Sequence, residues 1–515
     1  MSNKGVFCAV LVSMGVCAPY GGSADGIYTL KQSITSGGID LTALDGAWRK
    51  DALAAEASGT YQPIAVTGKV VHATSAGSPF VVSNALEKTY FVLEGSDLLG
   101  NTPVKTTGKG TIYFSGVSMT NIGDTAQNDL ICATDPDAAK GATQIDSLCL
   151  SGTAAPARYE IVSAPLYVRY NTYLGADGGR GELYATKRCL GRDNDQTVEN
   201  PWLGRRGNAN LYFGYASGKD KGFASGRLHL VNALAAGWYV YFGHADNGVP
   251  AASGPHYAAE VVLEGKSARM QALWYHVAGS ADSIIRFRGG HLATFGWGNF
   301  LTFDANSSGD LILEGENGYP IDLKMTRYAE MFSWGKDSTG RCIFRGDCDV
   351  YLYGGDGAGQ NDGIDTAGGV RYRDPERRVV WEQTGDLCFF YGGAIAKFFT
   401  DDFFPCNPWN GGVKVVAHAT QFFALNLLGT SHRCNSLFGG GIVSNSYEKT
   451  SVVTIGENGN DCLFDVVLGE DGPIDIVKEG AGRLTLEKPV HDTFTLAGGT
   501  AVIPEGSTFA TPANS

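Results

Sequence analysis

The sequence predicts an all-β fold, an elongated solenoid of short stacked strands, and three observations carry that prediction. Glycine is abundant, 71 of 515 residues, with no Gly-X-Y period. Glycines scattered among short apolar runs mark many tight turns between many short strands. Strand patterns recur along the chain, and helical periodicity is nearly absent.

The recurring patterns take two forms. Phe91-Val92-Leu93-Glu94-Gly95, Val261-Val262-Leu263-Glu264-Gly265 and Leu311-Ile312-Leu313-Glu314-Gly315 are three apolar residues followed by Glu and Gly. The second form begins with Gly and alternates. It runs through Gly110-Thr111-Ile112-Tyr113-Phe114, Gly226-Arg227-Leu228-His229-Leu230, Gly309-Asp310-Leu311-Ile312-Leu313, Gly340-Arg341-Cys342-Ile343-Phe344 and Gly482-Arg483-Leu484-Thr485-Leu486. In each, the second and fourth residues after the Gly are apolar or cysteine, and in an extended chain they share one face. Short strands of one design can cover each other's edges by stacking, with inward residues forming an apolar column and glycines at the corners. Asn84-Ala85-Leu86 and Asn232-Ala233-Leu234 lead into such strands. Cassette spacing is irregular, so no fixed-length repeat is present. One helix is predicted, over Leu41–Glu56. A β-sandwich or a multi-domain β protein is the alternative that strand counts leave open.

Residues 1–24 read as an export signal: Lys4 gives the positive start, Gly5 to Ala18 the apolar stretch, and Gly22-Ser23-Ala24 the small residues at cleavage. The solenoid is assigned to residues 25–503 and a flexible tail to 504–515. No segment after the signal has the about 18 uninterrupted apolar residues of a membrane helix. The net charge of −13, with no block of Lys and Arg, argues against a nucleic-acid partner. Of eleven cysteines, nine remain once Cys8 and Cys17 leave with the signal. Cys132 and Cys149 bracket a polar segment, so 132–149 reads as a stapled loop. Cys342 and Cys348 flank a short turn. Others, such as Cys388 in Leu387-Cys388-Phe389-Phe390, read as small buried hydrophobes.

The C-terminal stretch resembles the autotransporter-associated β-strand repeat, best over residues 439–503. Ile476-Val477-Lys478-Glu479-Gly480-Ala481-Gly482-Arg483-Leu484-Thr485-Leu486 has that repeat's Lys, its Gly-x-Gly and its alternating apolar strand. Thr493 to Ile503 is similar to a following coil, and Gly439 to Asn445 with Val452 to Gly456 to a preceding one. Val104 to Ile112 is a weaker match. The resemblance implies a right-handed parallel β-helix in a protein exported by a Gram-negative-type bacterium to its surface or beyond. The motif is structural and brings no catalytic residues. A C-terminal run of alternating membrane strands is not found before Ser515, so the expectation is release, or attachment by another route, rather than self-translocation.

The chemistry-bearing residues give no assignment of catalytic, cofactor or metal ligands, and no cofactor is expected. Glycoside hydrolysis needs two carboxyl groups facing one bond. Asp401 and Asp402 are adjacent and point to opposite faces of a strand, and Asp374 and Glu376 sit in an Arg-rich stretch that reads as a solvated ion-pair cluster. Arg371, Arg373 and Arg377 are candidate lyase bases, with nothing in their spacing to select one. The Gly-rich acidic run 354–365 lacks the ligand spacing of known calcium loops and reads as a turn. No two of the nine histidines have metal-ligand spacing. Aromatic runs such as Trp238-Tyr239-Val240-Tyr241-Phe242 and Trp274-Tyr275-His276 are expected to fill the interior, the alternative being exposed rings that hold sugar faces. The function expected is that of a secreted or surface structural or adhesive protein. The alternative is a polysaccharide-active or glycan-binding protein on the same scaffold, and the expected partners are extracellular glycans or other cell-surface material.

Overall fold

The structure, a computed structural model, describes in full residues 150–151, 156, 171–186, 210–216, 222–245, 256–294, 300–324, 331–353, 378–390, 412–416, 425–427, 429–469, 472–488 and 494–506, and the backbone alone of the further strands named below. These residues are all-β, built from parallel strands in several sheets, with no helix among them. None of their elements is therefore a helix long and apolar enough to cross a membrane. The chain divides into two compact units: Met1–Gln271 with His276–Ile284 and Asn306–Gly309, and Ala272–Tyr275 with Ile285–Ala305 and Asp310–Ser515.

In the first unit one sheet runs through Gly26–Leu30, Thr89–Glu94, Thr111–Ser115, Leu148–Leu150, Asn171–Ala176, Asn210–Tyr215 and Tyr239–Phe242, each parallel to the next. A second runs through Val71–His72, Leu98–Leu99, Ser118–Thr120, Ala157–Ile161, Arg180–Ala185, Ser225–Val231 and Ala259–Glu264, also parallel. Short parallel ladders complete a third direction, among them Phe80–Asn84 with Val104–Gly108 and Leu234–Ala236 with Arg269–Ala272. Strand order along the chain is cyclic: Asn210–Tyr215, Ser225–Val231 and Leu234–Ala236 lie one in each sheet. Tyr239–Phe242, Ala259–Glu264 and Arg269–Ala272 then visit the three again.

The helix predicted over Leu41–Glu56 is overturned at Trp48–Asp51, the part of it among the described residues. Trp48–Asp51 within it is a strand, antiparallel to Gly26–Leu30 at the edge of the first sheet. Helical propensity is a weak prior, and pairing with a sheet edge overrides it here. The strands Thr143–Ile145 and Leu148–Leu150 occupy the end of the predicted 132–149 loop; Cys132 lies outside the described residues, as does the 1–24 signal.

The glycine-led cassettes form as their period-two pattern requires. Leu228 and Leu230 are fully buried, as are Leu183, Ala185, Val261 and Leu263, their register partners on either side. Parallel in-register pairing therefore turns one alternating strand into two continuous apolar columns. Two glycines sit where no other residue fits. A Cβ on Gly226 would lie 2.2 Å from the Leu174 carbonyl oxygen. Gly265 has φ +87°, where only glycine is unstrained, and a Cβ there would meet Asn232 Oδ1 at 2.2 Å. Asn232, itself at φ 50°, accepts the Ser267 N–H on that oxygen.

The second unit repeats the device. Leu311–Gly315, Cys342–Gly346 and Val379–Gln383 pair in parallel register, with Leu311, Leu313, Cys342 and Phe344 fully buried. A long parallel ladder runs through Ile321–Lys324, Val350–Tyr353, Leu387–Phe390, Val413–Val415, Leu437–Phe438, Cys462–Phe464, Arg483–Leu486 and Thr500–Val502. Ser431–Cys434, Ser451–Ile455, Ile474–Lys478 and Phe494–Leu496 form another. Ile442–Ser444 and Val467–Leu468 belong to a third. From Ser431 to Leu486 the chain again visits these three in a fixed cycle.

Candidate functional site

The outward positions of the strands carry the charges, and a number of carboxylates among the described residues meet a cation one strand away. In the first unit the in-register row Glu182, Arg227, Glu260 alternates in sign, with Arg227 3.5 Å from Glu260, and His229 lies 2.9 Å from Glu264. In the second, Glu314, Arg345 and Glu382 form the same alternating row, with Arg345 2.8 Å from Glu382. Arg286 reaches both Glu314 and Glu316 at 3.0 Å, Arg288 also holds Glu316, and Arg433 spans Glu457 and Glu479. Asp310 and Asp461 each accept the backbone N–H of an arginine one strand on, Arg341 and Arg483, and pair with its guanidinium. These acids are spread along the sheets and neutralised where they stand.

One face departs from this pattern. On the ladder through Ile321–Lys324, Val350–Tyr353 and Leu387–Phe390, the outward row reads Asp322, Tyr351, Cys388 and Lys414, and beside it Lys324, Tyr353 and Phe390. Asp322 Oδ1 is buried without a hydrogen-bond partner; its other oxygen lies 3.6 Å from Lys324 Nζ. Burial raises the Asp322 carboxyl from 3.8 to about 6, against the pull of Lys324. Burial, with help from Asp322, pushes Tyr353 to about 12. Lys324 sits over the Tyr353 ring at 5.2 Å.

At the corner beside this face Gly318, Pro320, Asp347, Cys348, Asp349, Tyr351 and Gly385 line a cavity of about 200 Å³. The aspartates also serve the backbone. Asp349 Oδ1 accepts the Asp386 N–H at 2.8 Å, and Asp386 Oδ1 in turn accepts the Gly412 N–H at 2.8 Å. Asp347 accepts the Thr384 hydroxyl, and the Tyr351 hydroxyl lies 3.5 Å from Asp349 Oδ2. Burial raises the Cys348 thiol to about 11 and the Cys388 thiol to about 12, the second with further repulsion from Asp349 and Asp386. Both thiols stay protonated near neutral pH and are poor nucleophiles. The proton held near neutrality by Asp322 is the acid–base chemistry this face can offer.

The aromatic run in the first unit is interior only in part. Val240 and Phe242 are buried, whereas Tyr239 and Tyr241 face outward, half-buried. Alternation allows one set of residues inside, and the phenols, which need a polar partner or water, take the outer side. Tyr173, Tyr212 and Tyr241 are register partners, with ring centroids 5.0 and 4.9 Å apart and planes within 12° and 6°. His276 continues the stack 4.7 Å from Tyr241. Because each inner ring presses its faces on its neighbours, the row offers edges and hydroxyls rather than the open faces on which sugars stack. Of the second run, Tyr275 is fully buried and donates to the Ala293 carbonyl, while Trp274 and His276 face outward, half-buried.

Buried polar groups elsewhere are structural. Asn445 fills all four of its bonds, accepting from Gly429 and Tyr447 and donating to the Lys449 and Pro473 carbonyls. Lys478, fully buried, donates Nζ to the Glu479 and Gly480 carbonyls. His432 meets Thr430 Oγ1 at 2.8 Å, and burial lowers it to about 4. Cys342, Cys348, Cys388, Cys434 and Cys462 are buried and in no disulfide. Among the described residues no three His, Cys, Asp or Glu side chains converge to hold a metal.

The side chains of Asp401, Asp402, Asp374, Glu376, Arg371, Arg373 and Arg377, and the run 354–365, lie outside the described residues. The backbone makes Arg373 the register partner of Asp401. Sequence reasoning missed Asp322 and Asp349, whose only signal is an acid at, or just ahead of, an apolar strand start. No family model, curated protein or solved structure matches the chain.

Proposed function

We propose that the chain is an exported structural or adhesive protein, a right-handed parallel β-helix held at or released from the surface of a Gram-negative-type bacterium. Three features support a solenoid over a sandwich: parallel pairing, the cyclic order of three sheets, and apolar columns that run in register. The resemblance of residues 439–503 to the autotransporter-associated repeat and the signal-like residues 1–24 support export. The single observation that carries the role is the strand-to-strand neutralisation of outward charge: Glu182, Arg227 and Glu260, like Glu314, Arg345 and Glu382, are matched to each other rather than aimed at a common ligand. Rigidity and resistance to proteolysis follow from such a stack, because each strand's edge is covered by the next.

The test is incubation of the purified chain with a panel of acidic and neutral glycans, assayed for unsaturated products and new reducing ends. No turnover is the expected result; clear turnover removes the structural reading. The second reading, a polysaccharide-active protein, is favoured by one observation, the proton held by Asp322 at about 6 on a face that also carries Tyr351 and Asp349. If turnover is found and Asp322→Asn abolishes it, that second reading replaces the first.

A further inference from the structure

The stacked tyrosines of the first unit form a modification site. We infer that Tyr212 couples oxidatively to Tyr241 or Tyr173, so that a dityrosine bond joins neighbouring strands. Tyr212 is the hub of the cluster. Tyr241 stacks on one side at 4.9 Å and Tyr173 on the other at 5.0 Å, while Tyr215 approaches edge-on at 5.5 Å. Tyr215 also leans on Tyr173 at 4.9 Å. Separations of this size follow from the spacing of paired strands, about 4.7–4.9 Å, so backbone pairing holds the rings together. Each of these rings is partly open to solvent and so can be oxidised from outside. Asn171 and Asn210, register partners themselves, donate Nδ2–H to the hydroxyl oxygens of Tyr173 and Tyr212. In those bonds the phenol oxygen is the acceptor, which fixes where each hydroxyl stands.

The chemistry requires an oxidant, and a peroxide acting through a heme peroxidase in one-electron steps supplies it. Each of two phenols loses one electron and its hydroxyl proton to give a phenoxyl radical. The radicals join through the carbons ortho to oxygen, forming one C–C bond, and the hydrogens on those carbons return to the oxygens as the rings regain aromaticity. Two electrons and two protons have left the pair, and they reduce one hydrogen peroxide to two waters. A radical on any ring of the stack has a second oxidisable phenol against it, so coupling within the chain outruns encounter between chains.

The full-length protein, dilute, is treated with a heme peroxidase and hydrogen peroxide, and dityrosine fluorescence is followed. The monomer band is then digested and its linked peptides are mapped by mass spectrometry. The expected result is a fluorescence yield independent of protein concentration, with Tyr212 joined to Tyr241 or Tyr173. Tyr212→Phe keeps the stacked ring but removes the phenol and should abolish most of the signal. Tyr319→Phe, at the exposed and unstacked Tyr319, should leave it unchanged. Absence of dityrosine, dityrosine found only in covalent dimers, or an undiminished yield in Tyr212→Phe would each overturn the assignment. Peptide mapping of the unmodified chain decides the matter without reliance on the folding of any variant.

Discussion

Two outward faces, one in each unit, are made by the same device and end in opposite chemistry. In-register parallel pairing brings Tyr173, Tyr212 and Tyr241 into a row, and likewise Asp322, Tyr351, Cys388 and Lys414. In the first row like meets like: phenol rings stack, and each adds contact for the next. In the second, an acid, a phenol, a thiol and an amine are packed close together and partly withdrawn from water. Burial then shifts Asp322, Tyr353 and Cys388 upward. A parallel stack thus amplifies whatever its rows contain. Homogeneous rows give rigidity, and a row of mixed charge and polarity gives perturbed protons. Where a row alternates in sign, as at Glu314, Arg345 and Glu382, neighbouring charges offset one another and the row is again structural.

The comparison breaks most visibly if the outer rows rather than the inner columns hold the fold. Phe213 is fully buried and stacks on Phe242 at 5.6 Å, one residue from outward Tyr212. Phe213→Ala should cost about 3–5 kcal/mol, the usual range for deleting a buried ring. Tyr212→Ala removes stacking on two register partners from a half-buried site and should cost about 1–2 kcal/mol. Denaturant unfolding of both variants measures the gap. Equal losses would mean that the aromatic row is a second core, and that the two outward faces differ in stability as well as in chemistry.

The next effect in size is pH dependence, and it belongs to the second unit. Below about pH 4 Asp322 is protonated both folded and unfolded. Between about 4 and 6 the folded chain keeps a proton that the unfolded chain has released, so this group's contribution to stability falls as pH rises. The loss is complete above about pH 6 and is on the order of 2 kcal/mol. His432 acts with the opposite sign. It is held at about 4 against an ordinary 6.5, so stability falls as pH drops through that window. The two overlap and partly cancel in the native chain. Asp322→Asn should therefore gain on the native protein by on the order of 2 kcal/mol between pH 4 and pH 7, seen as a shift in denaturant midpoint. A gap between the two proteins that stays constant over that range would show that the Asp322 face is no more perturbed than the tyrosine face.

The inner columns were legible in the sequence, and the outer faces were not. Leu228 and Leu230, Leu311 and Leu313, Cys342 and Phe344, and Leu484 and Leu486 are buried as two-residue alternation demands, because that rule needs only a local pattern. The same rule says which residues of Trp238-Tyr239-Val240-Tyr241-Phe242 share a face, but not which face turns inward. The interior was the expectation for its tyrosines, and the preference of phenols for a polar partner or water decided otherwise. Asp322 had only a weak signal, an acid at the start of an apolar strand. Its perturbation comes from burial, against the pull of Lys324 on its own strand, and burial of an outward position follows from tertiary packing that a local pattern does not encode. The strand at Trp48–Asp51 failed to show for a similar reason, since its partner Gly26–Leu30 lies upstream in the chain and local propensity is silent about it.

The smallest effect concerns the neutral charge rows, and it sharpens the contrast with the Asp322 face. Arg345 and Glu382 are both more than a third exposed, so water screens their attraction. A double-mutant cycle of Arg345→Ala and Glu382→Ala should give a coupling of about 0.2–1 kcal/mol that shrinks as salt is added. Arg286 is less exposed, 20% against 38% for Arg345, and is shared between Glu314 and Glu316, so its cycle with Glu314 should give the larger coupling and the weaker salt dependence. This ordering follows from burial alone. If the exposed pair proved the stronger, the row would be doing more than cancelling charge, and matching of sign between strands would become a determinant of register as well as a consequence of it.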